Sequence, residues 1–211
     1  MKRALLSISL AFVLVFADAQ ETEQKHGLFD GIIAGVNYSN FILGDMGGMK
    51  SKASFGITLG LCTKINFSEH FALQPELLLN FKNSKIEEKS SGNETKFMYF
   101  GMEIPLYAVV QSNFLNGKCF VGAGSYIGFG FDAQYKAEGK DDVNLYREYL
   151  DQKSEMQRWD FGAGVMLGYR FDSDLQIRAT YKTGFINALN ANKNNAGMLN
   201  QCFSVGLASS F

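Results

Sequence analysis

The feature that most constrains this chain is an alternation of large apolar side chains with glycine or polar side chains. Between residues 55 and 67 the odd positions are apolar apart from Thr63, whereas the even positions between them are small or polar. The same period of two recurs over residues 71–82, 119–136 and 159–171. Because successive side chains of a strand point to opposite faces, this period predicts strands with one apolar face.

Four further segments alternate in the same way, and together they give eight predicted strands. These segments lie near 29–41, 97–110, 175–186 and 199–211. The polar stretches between strands are long near 42–52, 83–96, 137–156 and 187–198, and short at 68–69, 116–117 and 172–174. Antiparallel strands joined in this order place all long loops on one rim and all tight turns on the other.

This pattern predicts an all-β fold, an eight-stranded antiparallel up-and-down barrel. Within the third long loop, residues 143–150 are expected to form a short helix. The loop near 187–198 is rich in asparagine and is expected to form mobile surface.

The first residues predict an export signal. Lys2 and Arg3 precede an apolar run, and Ala17 and Ala19 form a small-x-small cleavage pattern before Gln20. The arrangement is typical of a secretory signal peptide, because the apolar run is shorter than the ~20 residues that a membrane-spanning helix needs. We therefore assign residues 1–19 to a signal peptide, 20–28 to a short N-terminal segment and 29–211 to the barrel domain.

The charged residues decide which strand face points to lipid. A soluble barrel such as a lipocalin turns its large apolar side chains inward, whereas a transmembrane barrel has an apolar outer band and a polar interior. Here the apolar parity is continuous, and a basic side chain facing lipid near the midplane would cost ~2–4 kcal/mol. We therefore predict a transmembrane barrel with an interior polar network of Glu76, Glu103, Asp132, Asp160, Arg170, Arg178 and Lys182.

The interior of such a barrel is expected to be filled rather than open. Buried charges require partners, and an eight-stranded barrel is only just wide enough for its own side chains. The predicted interior is therefore a salt-bridged polar plug, and a charged channel or proton path is the alternative.

Aromatic side chains on the apolar parity concentrate at the strand ends. Towards the long-loop rim fall Phe81, Phe100, Tyr135, Trp159 and Phe185. Towards the tight-turn rim fall Phe67, Phe71, Tyr169, Phe171 and Phe211. Two aromatic belts that flank an aliphatic band are typical of the two membrane interfaces.

Four segments resemble successive signatures of the PorT-like outer-membrane β-barrel domain family. They are residues 31–41, 71–77, 103–106 and 121–126, and their order and spacing are more specific than any one alone. The final Phe211 is similar to the terminal aromatic residue that the barrel assembly machinery reads. The resemblance implies an integral outer-membrane protein of a Gram-negative cell, usually without an assigned activity, although the name-giving member is linked to protein secretion and gliding.

Composition and residue types exclude several function classes. With 20 Lys and Arg against 21 Asp and Glu and no basic block, nucleic-acid binding is not expected. Cys62, Cys119 and Cys202 lack metal-ligand spacing, so three free thiols and no metal or cofactor are expected. His26 and His70 lie outside the predicted strands and long loops, so no catalytic Ser-His-acid centre is expected.

We therefore expect a structural or interaction role without catalysis, with long loops displayed to the cell exterior. The expected partners are outer-membrane lipids, the barrel assembly machinery and an envelope protein. One alternative is an envelope component that assists protein secretion, and another is transport of small solutes through the barrel. A lipid-modifying enzyme and a soluble lipocalin-like binder are further alternatives.

Overall fold

The computed structural model describes residues 29–44, 46–90, 92–137, 143–147, 154–190 and 197–210. Within these ranges the chain forms ten strands. They are β1 (Gly31–Gly44), β2 (Met49–Cys62), β3 (Ile65–Asn66), β4 (Phe71–Glu88), β5 (Glu94–Asn113), β6 (Gly117–Ala137), β7 (Val143–Asn144), β8 (Trp159–Phe171), β9 (Leu175–Gly184) and β10 (Gly197–Ser210).

Eight of these strands close a ring. The order β2-β1-β10-β9-β8-β6-β5-β4 is antiparallel throughout, and a pairing between β2 and β4 joins its two ends. The two-residue strands β3 and β7 add short pairings to β4 and β6. The predicted eight-stranded antiparallel up-and-down barrel is therefore confirmed, and closure leaves the ring without an unpaired edge.

The apolar face of the barrel points outward. On β8, Val165 and Leu167 are 54% and 61% exposed, whereas Met166 between them is 3% exposed. The pattern recurs on β1, where Ile32 and Val36 are exposed and alternate inward side chains are buried. This distribution is that of a transmembrane barrel and the reverse of a soluble ligand-binding barrel.

The strands extend further than predicted at the long-loop rim, which we call the outer rim. Residues 42–52 and 83–96 are not long loops, because β1 and β2 are separated only by residues 45–48, and β4 and β5 only by 89–93. The outer surface of this extension is charged. Lys52 Nζ lies 3.0 Å from Glu87 Oε2 and 2.7 Å from Glu94 Oε1. The prediction of long loops rested on polar composition, and it is wrong because strands that rise into water also carry polar side chains on their outer face.

A bulge in β6 reverses the side-chain parity near the outer rim. Phe100 pairs with Asp132 and Gly101 with Gly130, so Phe131 has no opposite residue. Beyond the bulge Ala133 is fully buried, and Tyr135 packs against an interior cluster. The prediction of Tyr135 in the outer aromatic belt is therefore wrong, because one extra residue moves every later side chain to the other face.

The predicted helix at 143–150 is also not found in its described part. Residues 143–144 form β7, and 145–146 form a turn, while 148–150 lie outside the described residues. Over the ranges given above, no helix is long and apolar enough to cross a membrane.

Glycine on the inward face allows neighbouring strands to approach closely. A Cβ atom at Gly124 would lie 1.9 Å from the carbonyl oxygen of Leu106 on β5, which is part of the backbone and cannot rotate away. By contrast, a Cβ atom at Gly47 in the β1–β2 turn would meet no atom within 4 Å.

We predict that Gly124→Ala destabilises the barrel by about 1–3 kcal/mol, because overpacking forces the backbone to move. Gly47→Ala is the matched control and should unfold like the unmodified protein. Urea titration in lipid vesicles, read by the gel mobility of unboiled samples, measures both variants. Equal midpoints for the two variants would contradict the close packing at Gly124.

Candidate functional site

The centre of the barrel holds an ion-pair triad. The Nζ atoms of Lys82 on β4 and Lys182 on β9 donate to the two carboxylate oxygens of Glu103 on β5. Their exposed fractions are 8%, 3% and 1%, respectively. Since β9 and β5 are three places apart in the ring, the triad connects opposite walls of the lumen.

A second ion pair lies nearer the tight-turn rim, which we call the inner rim. Arg178 on β9 donates from Nη1 to Glu76 Oε1 at 2.5 Å and from Nη2 to Oε2 at 2.9 Å. Gln74 also donates to Glu76 Oε1 at 2.7 Å. This bidentate geometry is the strongest form of a carboxylate–guanidinium contact, and its two strands lie diametrically opposite in the ring.

Two prolines flank this region. Paired residues of β4 and β5 run to Pro75 opposite Leu106 and resume with Leu78 opposite Glu103. Pro75 and Pro105 cannot donate backbone hydrogen bonds, which accounts for the local gap in the ladder. The two ion-paired carboxylates lie at the ends of this gap: Glu76 directly follows Pro75, and Glu103 belongs to the first pair beyond the gap.

Neutral polar side chains fill the space around the ion pairs. Asn37 donates to the hydroxyl of Thr58 at 3.0 Å, and that hydroxyl donates to Asn80 at 2.7 Å. Towards the outer rim, Tyr126 and Asn200 donate to Asp160 Oδ2 at 3.0 and 2.8 Å. Buried polar groups need such partners, and here side chains of neighbouring strands, or of strands two places apart in the ring, supply them.

The outer end of the lumen is closed by apolar side chains. This cluster, which we call the outer plug, consists of Phe41, Phe97, Ala133, Leu145, Tyr146, Met156, Ala188 and Met198. Above the membrane band, the barrel is therefore apolar inside and charged outside, as in a soluble protein. Sequence reasoning missed the outer plug, because part of it depends on the bulge at Phe131.

The predicted polar network is brought together in part. Glu76, Glu103, Asp160, Arg178 and Lys182 are buried inside the barrel. Arg170 is half-buried near the inner rim and donates to Gln111 Oε1 at 3.3 Å. Asp132 was placed wrongly, because above the bulge its parity is reversed, and it accepts hydrogen bonds from Gln134 and Asn144 instead.

Several interior residues were not singled out from the sequence. Gln74, Asn37 and Tyr126 belong to the hydrogen-bond network. All three lie on the inward parity, so the alternation was the signal that could have found them. Lys82, whose inward position the alternation did predict, completes the central triad. Their pairing across the lumen requires the strand register as well.

The residues considered for catalysis and metal binding are dispersed. His70 is exposed in the 67–70 turn, and its Nδ1 lies 3.3 Å from the backbone oxygen of Gln111. His26 lies outside the described residues, as does the C-terminal Phe211. Cys62, Cys119 and Cys202 are free thiols. Among the described residues, no group of three or more His, Cys, Asp or Glu side chains could hold a metal ion.

A closed ring of eight antiparallel strands with lipid-compatible side chains outside and paired charges inside defines a transmembrane β-barrel. A family model of the outer membrane protein beta-barrel domain matches residues 16–190. The chain therefore belongs to this family, and membership places it in the outer membrane. No curated protein sequence matches the chain significantly.

Among solved structures, the chain is similar to Neisserial surface protein A (NspA). The two are 13% identical with a TM-score of 0.45, over 86% of this chain and 96% of that one. For Ail, the attachment invasion locus protein of Yersinia pestis, the identity is 13% and the TM-score 0.42, over 87% and 99% of the chains. The outer membrane enzyme PagL is 13% identical with a TM-score of 0.42, over 84% of this chain and 99% of that one.

We predict that Glu103→Gln destabilises the barrel by about 3–5 kcal/mol, because it leaves two buried lysines without a carboxylate. Adding Lys182→Met should recover part of the loss, since one of the two uncompensated charges is then removed. Urea unfolding in lipid vesicles measures both variants.

The matched control is Glu94→Gln, which makes the same change in the exposed cluster at the outer rim. Exposed pairs are screened by water, so this control should shift the unfolding midpoint far less. An equal shift for Glu103→Gln and Glu94→Gln would contradict the role of the central triad.

Proposed function

We propose that this protein is a non-catalytic barrel of the outer membrane with a structural or interaction role, and that it is a PorT-like member of its family. The observation that carries this proposal is the filled lumen. Ion pairs and hydrogen bonds connect opposite walls, and the outer plug covers their outer end.

A filled lumen favours an interaction role over transport. An eight-stranded barrel has room for its own side chains or one small ligand, and here the central space is occupied by the triad of Lys82, Glu103 and Lys182. Moving a solute along this path would require breaking buried ion pairs, which is costly because each charge would lose its partner.

The remaining parts of the proposal concern export and partners. Residues 1–19 direct export as a cleaved signal peptide, and Phe211 is read by the barrel assembly machinery. Both lie outside the described residues. The lipid-facing band contacts outer-membrane lipids. The parts of the strands within 42–52 and 83–96 that rise at the outer rim, which we call the outer extension, are exposed to an envelope or exterior partner. Assistance of protein secretion is an alternative to this proposal and not a part of it, because the PorT-like resemblance carries the fold and the location but not that role.

We predict that the purified barrel gives no stable porin-sized conductance steps in a planar bilayer, because the ion pairs and the outer plug fill the lumen. A porin in the same bilayer is the positive control. Stable, repeated steps from the folded protein would overturn the proposal and favour solute transport.

We also predict that the folded protein releases no fatty acid from labelled outer-membrane lipids or lipopolysaccharide, since the hydrogen bond found for the His70 imidazole among the described residues is to a backbone oxygen. His70→Ala and His26→Ala should then behave like the unmodified protein. Acyl release that either substitution abolishes would overturn the non-catalytic assignment.

A further inference from the structure

Three basic side chains converge at the inner end of the lumen. They are Lys64, which follows β2, Lys118 at the start of β6 and Arg170 at the end of β8. All three lie on the inward parity and are half-buried. We call this group the inner basic cluster. It lies one layer below the Glu76–Arg178 pair, at the rim that carries the short turns.

Two of these cations share a neutral acceptor. Lys64 Nζ donates to Gln111 Oε1 at 2.5 Å, and Arg170 Nη2 donates to the same oxygen at 3.3 Å. The amide nitrogen of Gln111 is bonded to the backbone oxygen of Glu69 at 3.1 Å, which fixes the orientation of the amide. An amide oxygen carries no net charge, so it orients the two cations without neutralising them.

The third cation increases the repulsion. Lys118 lies directly opposite Arg170 in the register of β6 and β8. Like charges at directly opposed positions of neighbouring strands destabilise a sheet. The fold thus holds two basic side chains on one acceptor and places a third opposite one of them in the strand register.

The inner basic cluster differs from the ion-paired groups deeper in the lumen. Glu103 is matched to Lys82 and Lys182, and Glu76 to Arg178. None of the described acidic residues forms an ion pair with Lys64, Lys118 or Arg170. Basic side chains that the fold holds close together and partly away from water repel one another, and a bound counter-charge would relieve that repulsion.

We propose that the inner basic cluster is a binding site for one oxyanion group, a phosphate or a carboxylate, that enters from the periplasm. Short turns of transmembrane barrels face the periplasm, so the site opens to that side. Guanidinium and ammonium donors that converge on one point are the groups that bind such anions. The inference rests on the barrel and its register, and it holds whether or not the protein is catalytic.

The position of the inner basic cluster excludes one possible source of the anion. Because the three side chains face the lumen, lipid headgroups around the outside of the barrel cannot reach them. The two remaining sources are a free oxyanion and a carboxylate carried on a protein segment. They share the same chemistry and are distinguished by the probe used.

The experiment uses the full mature chain in phosphatidylcholine nanodiscs, which leave both rims open. Inorganic phosphate is added at constant ionic strength, and the side-chain Nε–H signals of the arginines are followed by NMR. Arg170→Lys assigns one signal. We expect the Arg170 signal to move saturably, while the signals of Arg147 and Arg178 stay in place, because the first lies outside the lumen and the second is already paired.

Variants test the cluster itself. Lys64→Gln removes one charge-assisted donor and should weaken phosphate binding about tenfold. Lys96→Gln, an exposed lysine on the outer extension, is the matched control and should leave binding unchanged. If Lys64→Gln fails to fold, as judged by gel mobility before boiling, Lys118→Gln replaces it with the same expectation.

A tri-glutamate peptide distinguishes the two sources. Displacement of phosphate by the peptide supports a carboxylate on a protein segment, and phosphate binding without displacement supports a free oxyanion. Absence of a saturable shift at Arg170, or an equal loss of binding in Lys64→Gln and Lys96→Gln, would overturn the proposal.

Discussion

Closure of the strand ring within a bilayer is the constraint on which the rest of this structure depends. The hydrocarbon core offers no water to backbone groups, so each strand must be paired on both sides. Pairing of β2 with β4 and of β1 with β10 satisfies this requirement. Every side chain then points either to lipid or into a narrow lumen, and the alternation of the sequence follows from that choice.

The narrow lumen explains the chemistry inside. Side chains from opposite walls come within hydrogen-bonding distance, so a carboxylate on β4 or β5 can be matched by a cation on β9. The Glu103 triad and the Glu76–Arg178 pair both stabilise the ring, because breaking either one leaves a buried charge unpaired. At the outer rim the strands are surrounded by water instead of lipid. The polarity of the two strand faces is therefore reversed there: apolar side chains fill the interior and charged side chains cover the surface.

Side-chain alternation was sufficient to predict the strands, the outward apolar face and the inward position of Glu76, Glu103 and Arg178. It could not predict which groups pair. Glu76 and Arg178 are 102 positions apart, and their contact depends on the register of the whole ring. A single extra residue at Phe131 placed Asp132 and Tyr135 on unexpected faces, and nothing in the local pattern marks that bulge.

Loop lengths were the other limit of the prediction. The polar residues of 83–96 are compatible with a loop or with strands that rise into water, because an exposed strand face and a loop have similar compositions. Cross-strand ion pairs such as Lys52 with Glu94 distinguish the two, and they become visible only when the strands are paired.

The central claim is that one parity of each strand contacts lipid and the other faces the lumen. The chain has one tryptophan, so Trp159→Phe provides a background without tryptophan fluorescence. Tryptophan placed at Val36, Val165 or Leu207 should be strongly quenched by lipids with brominated acyl chains. Tryptophan placed at Phe120 or Met166 should be quenched weakly. Equal quenching at the two sets of positions, or stronger quenching at Phe120 and Met166, would contradict the account.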